Sequence, residues 1–229
     1  MNGLSGANTQ LLRVGFIAAL VLALLLIAGI FLPLDSGNLP RDGAGWLHYL
    51  HGNGGAWAVV IVLSVLGDLL LVPVALALSV VLEPAHRALV LLAGACLALF
   101  VVLDLAVTWT SYATLLALSG HSSASSLGAA DYAAAVLDSP LDRIFSSGLQ
   151  SLGIALISLA MLRGSGFRKV TGYLGLAAAV AGFVAVAPLP VIGIIHARVT
   201  AVWLVLAAGR LRTYYRESRE PEAAVQARV

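Results

Sequence analysis

Long apolar stretches alternate with short polar interruptions along the chain, and this coarse rhythm is its dominant signal. A helix needs about 20 mostly apolar residues to cross roughly 30 Å of hydrocarbon. Six stretches qualify, at 14–33, 56–82, 88–118, 144–162, 170–187 and 191–209. They predict an all-α, polytopic transmembrane bundle over residues 1–209, followed by a charged cytoplasmic tail over 210–229. The second and third stretches exceed what a crossing requires and are expected to tilt, kink or project. Pro73 offers a cause for a kink in the second, because it lacks a donor and crowds the carbonyl one turn back. Between the last two stretches only Pro188-Leu189-Pro190 intervenes, which predicts a tight antiparallel helical hairpin.

The first stretch is long for the apolar region of a secretion signal, and Leu34-Asp35-Ser36-Gly37 after it is no small-residue cleavage site. It is read as a retained helix. Two connections are expected outside the membrane. Residues 35–55 are Gly-rich, with an aromatic piece, Trp46-Leu47-His48-Tyr49-Leu50-His51, suited to the interface. Residues 120–142 contain 131–137, a candidate interfacial helix ended by Ser139-Pro140. Gly94, Gly148, Gly153, Gly172, Gly175 and Gly182 are expected to let helices approach closely, and the fifth helix, which holds no ionisable residue, to serve packing.

Composition turns this pattern into a class. Of 229 residues 60% are hydrophobic and 10% charged, against about 25% charged in a soluble domain. So few charges cannot cover a water-facing surface, which excludes a soluble enzyme, a disordered chain and a nucleic-acid binder. The net charge of +2 is small, and its placement is more informative. With both termini cytoplasmic, ten basic residues lie inside: Arg13, Arg87, Arg163, Arg168, Lys169, Arg210, Arg212, Arg216, Arg219 and Arg228. Arg41 and Arg143 lie outside, and Arg198 falls within a span. This is the positive-inside bias of a protein in the cell membrane with both ends in the cytoplasm. The bilayer is the expected partner, no nucleic acid is expected, and a homo-oligomer or a larger membrane complex stays open. The single cysteine, Cys96, lies in an apolar run, and no Cys/His spacing suits a metal. No metal or cofactor is expected.

Ionisable residues inside spans are costly and mark partners or water-filled cavities. Asp68, Asp104 and Arg198 stand out, with His196 nearby. A rise of about 1.5 Å per residue places Asp104 and Arg198 at similar depth in the outer half, with Asp68 nearer the midplane. Helical spacing puts Asp104, Thr108, Ser111 and Tyr112 on one face, and His196, Thr200 and Trp203 on another. A third stripe runs through Arg143, Ser147, Gln150, Ile154 and Ser158. Their convergence predicts a polar pocket open to the outside, with Asp104, Arg198, Gln150, Tyr112, His196 and Asp68 as candidate ligand-binding residues. In the plainer alternative Asp104 and Arg198 form an ion pair that only registers two helices, and Asp68 bonds Ser64. No metalloprotease or phosphate-loop motif is present, and the pattern around Ser146 and Ser147 does not match an intramembrane serine protease.

Gly67-Asp68-Leu69-Leu70 running into Val74-Ala75-Leu76-Ala77-Leu78, and Arg163-Gly164-Ser165-Gly166-Phe167-Arg168-Lys169 running into Gly172-Tyr173-Leu174-Gly175-Leu176, carry a resemblance. Over about two-thirds of its length the chain resembles the DUF4386-like family of bacterial six-helix membrane proteins. The resemblance implies six helices and no assigned reaction, and it does not extend to Asp104 or Arg198.

Three functions fit. The first is binding or transport of a small molecule or lipid, with Arg198 on an anionic group, Asp104 orienting Arg198, and Gln150 and Tyr112 adding hydrogen bonds. The second is an accessory or scaffold subunit without a ligand. The third is an intramembrane lipid-modifying enzyme with Asp104 or His196 as general base.

Overall fold

The computed structural model describes residues 6–29, 40, 42–120, 127–139, 144–164, 166–187 and 190–226. In chain order the elements are α1 (Gly6–Ala28), α2 (Gly43–Leu103), a π-helical segment (Asp104–Trp109), α3 (Thr110–Ser119), α4 (Leu127–Leu137), a second π-helical segment (Ile144–Leu149), α5 (Gln150–Arg163), α6 (Lys169–Val184) and α7 (Pro190–Gln226). No strand occurs among the described residues.

Four helical stretches are long and apolar enough to cross a membrane: Gly6–Ala28, Gly43–Pro84, His86–Ser119 and Ile192–Arg219. Two shorter apolar helices, Ser147–Arg163 and Lys169–Val184, occupy the places of the fourth and fifth expected spans. Leu24, Val62, Leu76, Leu91, Val102 and Val180 all point outward with half or more of their surface exposed. Apolar residues on both the inner and outer faces of a helix suit a nonpolar surrounding.

The 61-residue α2 is two helices joined at a break. His86 leaves helical geometry (φ −146°, ψ 51°) two residues after Pro84, where the missing N–H and the ring's bulk disrupt the ladder. The chain then doubles back. His51 meets the backbone of Ser119, Trp57 stacks on Tyr112, and Trp109 reaches Asp68. Residue numbers fall on one arm as they rise on the other, so the arms are antiparallel. Pro73 causes no such break; the non-helical residues inside α2 are Asn53 and His86. A proline ring holds φ near the helical value, so here it removes one bond without ending the helix.

The expected loop at 35–55 is largely helix. Asp42 caps α2 by accepting from the Gly45 N–H at 3.1 Å. Trp46, Leu47 and Leu50 are buried with Trp57, Leu115, Ala129 and Ala133 in a small second core. The aromatic piece therefore continues the hairpin and packs under α4. α4 itself covers the expected 131–137 helix and begins four residues earlier.

α6 is the packing helix that its glycines suggested. A Cβ at Gly175 would strike Ser158 Oγ on α5 and lie 2.7 Å from Trp203 Nε1 on α7. A Cβ at Gly182 would strike Ser151 Oγ and lie 2.8 Å from His196 Nδ1. The three helices thus repeat one contact seven residues, or two turns, apart. Gly153 and Gly172 are also tightly faced, whereas Gly94 has open space beside it and Gly148 touches neighbours only at 3.9 Å. α7 runs unbroken through the expected boundary at 209–210. Leu211 is fully buried, and Tyr214 and Tyr215 pack against the core. Arg210 donates to the Gly166 carbonyl and lies over the Tyr214 ring, 4.6 Å from its centroid. The Pro188-Leu189 turn lies outside the described residues, as does Arg143 of the expected polar stripe.

Candidate functional site

A cavity of about 550 Å³ opens among α1, α2, α5 and α7. Leu22, Leu25 and Leu26 of α1, Leu63 and Leu71 of α2, and Ile194 and Leu204 of α7 form apolar walls. Ser64, Asp68, Asp104, Trp109, Ser147, Gln150 and Thr200 give it a polar lining.

The geometry of that lining begins with the first π-helical segment. In an α-helix a residue five positions on lies about 140° around the axis, so Trp109 would turn away from Asp104. The wider π turn returns it: Trp109 Nε1 donates to Asp104 Oδ2 at 3.0 Å and, across the hairpin, to Asp68 Oδ2 at 2.7 Å. Thr110 Oγ1 donates to the Leu105 carbonyl at 2.9 Å, a partner five residues back that suits the altered ladder. One indole N–H, which can only donate, therefore holds two carboxyl groups that come from distant parts of the chain. Asp104 is 3% exposed and Asp68 is half-buried.

Trp109 is fixed from behind. Its ring centroid lies 5.9 Å from that of Tyr112, which stacks on Trp57 at 6.0 Å and 11° between planes. Trp57 meets Trp46 edge-on at 5.5 Å, and Trp46 meets Tyr49 at 5.7 Å. Five rings thus connect the small second core to the carboxyl pair. Tyr112 belongs to this ladder and is absent from the described lining of the cavity.

On the opposite wall His196 Nδ1 lies 2.8 Å from the Ala178 carbonyl oxygen, and Nε2 lies 3.3 Å from the side-chain oxygen of Gln150. Nδ1 donates to that carbonyl, and the neutral ring accepts at Nε2 with the Gln150 amide turned over. His196 thus orients Gln150, which itself lines the cavity. Thr200 lines it one turn further along α7; its hydroxyl is buried with no hydrogen-bond partner.

Of the six candidate residues, the structure brings Asp68, Asp104 and Gln150 to one cavity, with His196 behind Gln150. Arg198 is exposed and does not line the cavity, and Asp104 has Trp109 and the Asp68 carboxyl among its partners. The expected Asp104–Arg198 pair is not formed, because His196, Thr200 and Trp203 face inward and Arg198 lies about 200° around the helix from His196. Asp68 likewise takes its bond from Trp109 rather than Ser64. Ser147 and Ile154 line the cavity as the third stripe suggested, while Ser158 turns to Gly175. Trp109 was not a candidate, and the assumption of regular helical period concealed it. Arg198→Gln is accordingly expected to change neither the thermal midpoint of the purified protein nor its ligand retention; loss of either would return Arg198 to the site. Among the described residues no group of three His, Cys, Asp or Glu side chains suits a metal ion. No protein-family model, curated protein or solved structure matches the chain.

Proposed function

We propose that this is a multi-pass protein of the cell membrane that binds a small molecule or a lipid in the cavity beside Asp68, with the mouth toward the outside. The observation that carries this reading is the cavity itself. Its volume of about 550 Å³ falls within the roughly 300–1,000 Å³ of ordinary ligand sites, and apolar walls with a few placed polar groups are their usual construction. A scaffold whose polar residues only lock helices gains nothing from an open space at that level, since interiors otherwise close-pack.

The proposal includes six crossings, with the two shorter helices completing the bundle, and both termini in the cytoplasm. The resemblance to DUF4386-like proteins implies the same count, and the excess of basic residues on one side supports the orientation. Reporter fusions at both ends are expected to report the cytoplasm.

Ala197→Phe tests binding. Ala197 lines the cavity, so a phenyl group there occupies ligand space. Native mass spectrometry of wild type in mild detergent is expected to show a retained mass that the variant lacks. The variant is expected to melt no lower than wild type, because filling a void restores lost contacts. A bare protein in both cases, across several detergents, would favour the scaffold.

A further inference from the structure

We propose that the end of the bundle carrying the α5–α6 connection is a surface for anionic phospholipids, whose headgroups its basic side chains hold. This rests on the chain being embedded in a membrane, as proposed above, and is independent of any ligand in the cavity. In the orientation proposed above, the lipids belong to the cytoplasmic leaflet.

Contacts bring four parts of the chain to this end. Arg210 of α7 donates to the Gly166 carbonyl in the α5–α6 connection. A Cβ at Gly164 would lie 4.0 Å from the His86 ring, at the break of α2. Phe16 of α1 meets Tyr215 of α7 with ring centroids 6.0 Å apart. Arg163, Arg168 and Lys169 are exposed along the connection, and Arg212, Arg216 and Arg219 are exposed on α7. Among the described side chains the acidic ones at this end are Glu83, paired with Arg87 at 3.4 Å, and Glu217. Positive charge therefore predominates there.

The arrangement of these charges identifies the partner. At about 100° per residue, Arg212, Arg216 and Arg219 fall within about 60° of one another around α7, whereas Arg210, which faces the connection, lies about 160° from Arg212. Arg163, Arg168 and Lys169 thus occupy the other flank of α7 from the three arginines. Charge on both flanks suits a partner that surrounds the bundle, such as a leaflet of headgroups, whereas a docked protein would meet one face. The charges also sit where the apolar exterior ends. Exposed Val170 and Tyr173 follow directly on Lys169 in α6, and exposed Val202, Val205 and Leu206 precede Arg212 in α7. Tyr214 and Tyr215 pack their rings against the core at the same level, the usual place of tyrosine at a membrane interface. Basic side chains at that depth meet headgroup phosphates, and each strengthens attraction to an anionic leaflet about fivefold.

The test offers the detergent-purified full chain an equal mixture of phosphatidylglycerol and phosphatidylcholine with matched acyl chains, and reads the lipids retained in native mass spectrometry. Phosphatidylglycerol is expected to be retained at least about fivefold over phosphatidylcholine, and the preference should shrink as salt is raised before the measurement. Changing Arg212, Arg216 and Arg219 together to Gln should remove part of the preference. Changing Arg163, Arg168 and Lys169 together to Gln should remove another part. All six side chains are exposed, and Arg210, which holds the connection in place, is left intact in both variants. Arg198→Gln removes an exposed charge elsewhere on α7 and should change nothing. Equal retention of the two lipids, or a preference untouched by either triple change, overturns the inference. A preference lost entirely with one triple and unaffected by the other overturns the two-flanked surface. Ala197→Phe, which fills the cavity, should leave the preference intact; if it abolishes it, the lipid sits in the cavity, which overturns this inference and upholds the ligand site. A chain that stays in solution without detergent or lipid overturns the membrane reading and this inference together.

Discussion

Trp109→Phe is expected to destabilise the protein by about 2–3 kcal/mol, the scale of losing hydrogen bonds to charged or buried acceptors. The substitution keeps an aromatic ring against Tyr112 but removes the N–H that two carboxyl groups share at 2.7 and 3.0 Å. Asp104 is almost wholly buried, so water cannot easily replace the lost donor. The sign is made diagnostic by a second indole in the same stack. Trp57 is buried with its Nε1 unpartnered, so Trp57→Phe removes a donor that is already unsatisfied and is expected to be neutral or slightly stabilising. Thermal unfolding of both variants in one detergent provides the comparison. Equal losses would mean that ring packing, not the shared N–H, is what the stack contributes.

This centre shows where the sequence was legible and where it was not. The apolar runs located the helices, because a chain in a nonpolar surrounding needs long unbroken backbone ladders and apolar side chains on every face. The break at His86 falls in the gap between the apolar runs 56–82 and 88–118. Asp68, Asp104 and Gln150 were legible as residues that would meet partners, because charged and amide groups inside a span need them, and the structure brings all three to one cavity. Trp109 was not, because a single π turn changes which residues share a face, and no count at 3.6 residues per turn foresees it. Arg198 misled for a different reason. Its depth matched Asp104, but depth does not fix rotation about the helix axis. His196, Thr200 and Trp203 already claimed the inward face, and both assignments could not hold. The aromatic composition of residues 46–51 does not show what they pack against, because the helix that covers them, with Ala129 and Ala133, comes from a distant part of the chain.

The seam of α5, α6 and α7 sets the back wall of the site, which makes Gly182→Ala the second large effect. The new methyl would strike Ser151 Oγ and fall 2.7 Å from His196 Cε1. Neither can withdraw readily. Ser151 is fully buried, and His196 is held between the Ala178 carbonyl and Gln150. Overpacking of this kind costs about 1–3 kcal/mol, and the cost is expected near the upper end because backbone must separate to relieve it. Gly94→Ala is the control of opposite sign: its Cβ meets nothing within 4 Å, so the helix should gain about 0.5–1 kcal/mol from the better helix former. The two variants add the same methyl group, so a difference in thermal midpoint isolates the space each glycine faces. Adding Ser151→Ala to Gly182→Ala removes one of the two clashes and should recover part of the loss, a coupling that independent sites would not show. The effect also reaches the cavity. Displacing His196 releases Gln150 from its orientation, so Gly182→Ala should reduce the mass retained in native mass spectrometry even at temperatures where the protein remains folded, whereas Gly94→Ala should leave it unchanged. Binding unchanged in a folded Gly182→Ala protein would mean that Gln150 lines the cavity without contributing to recognition.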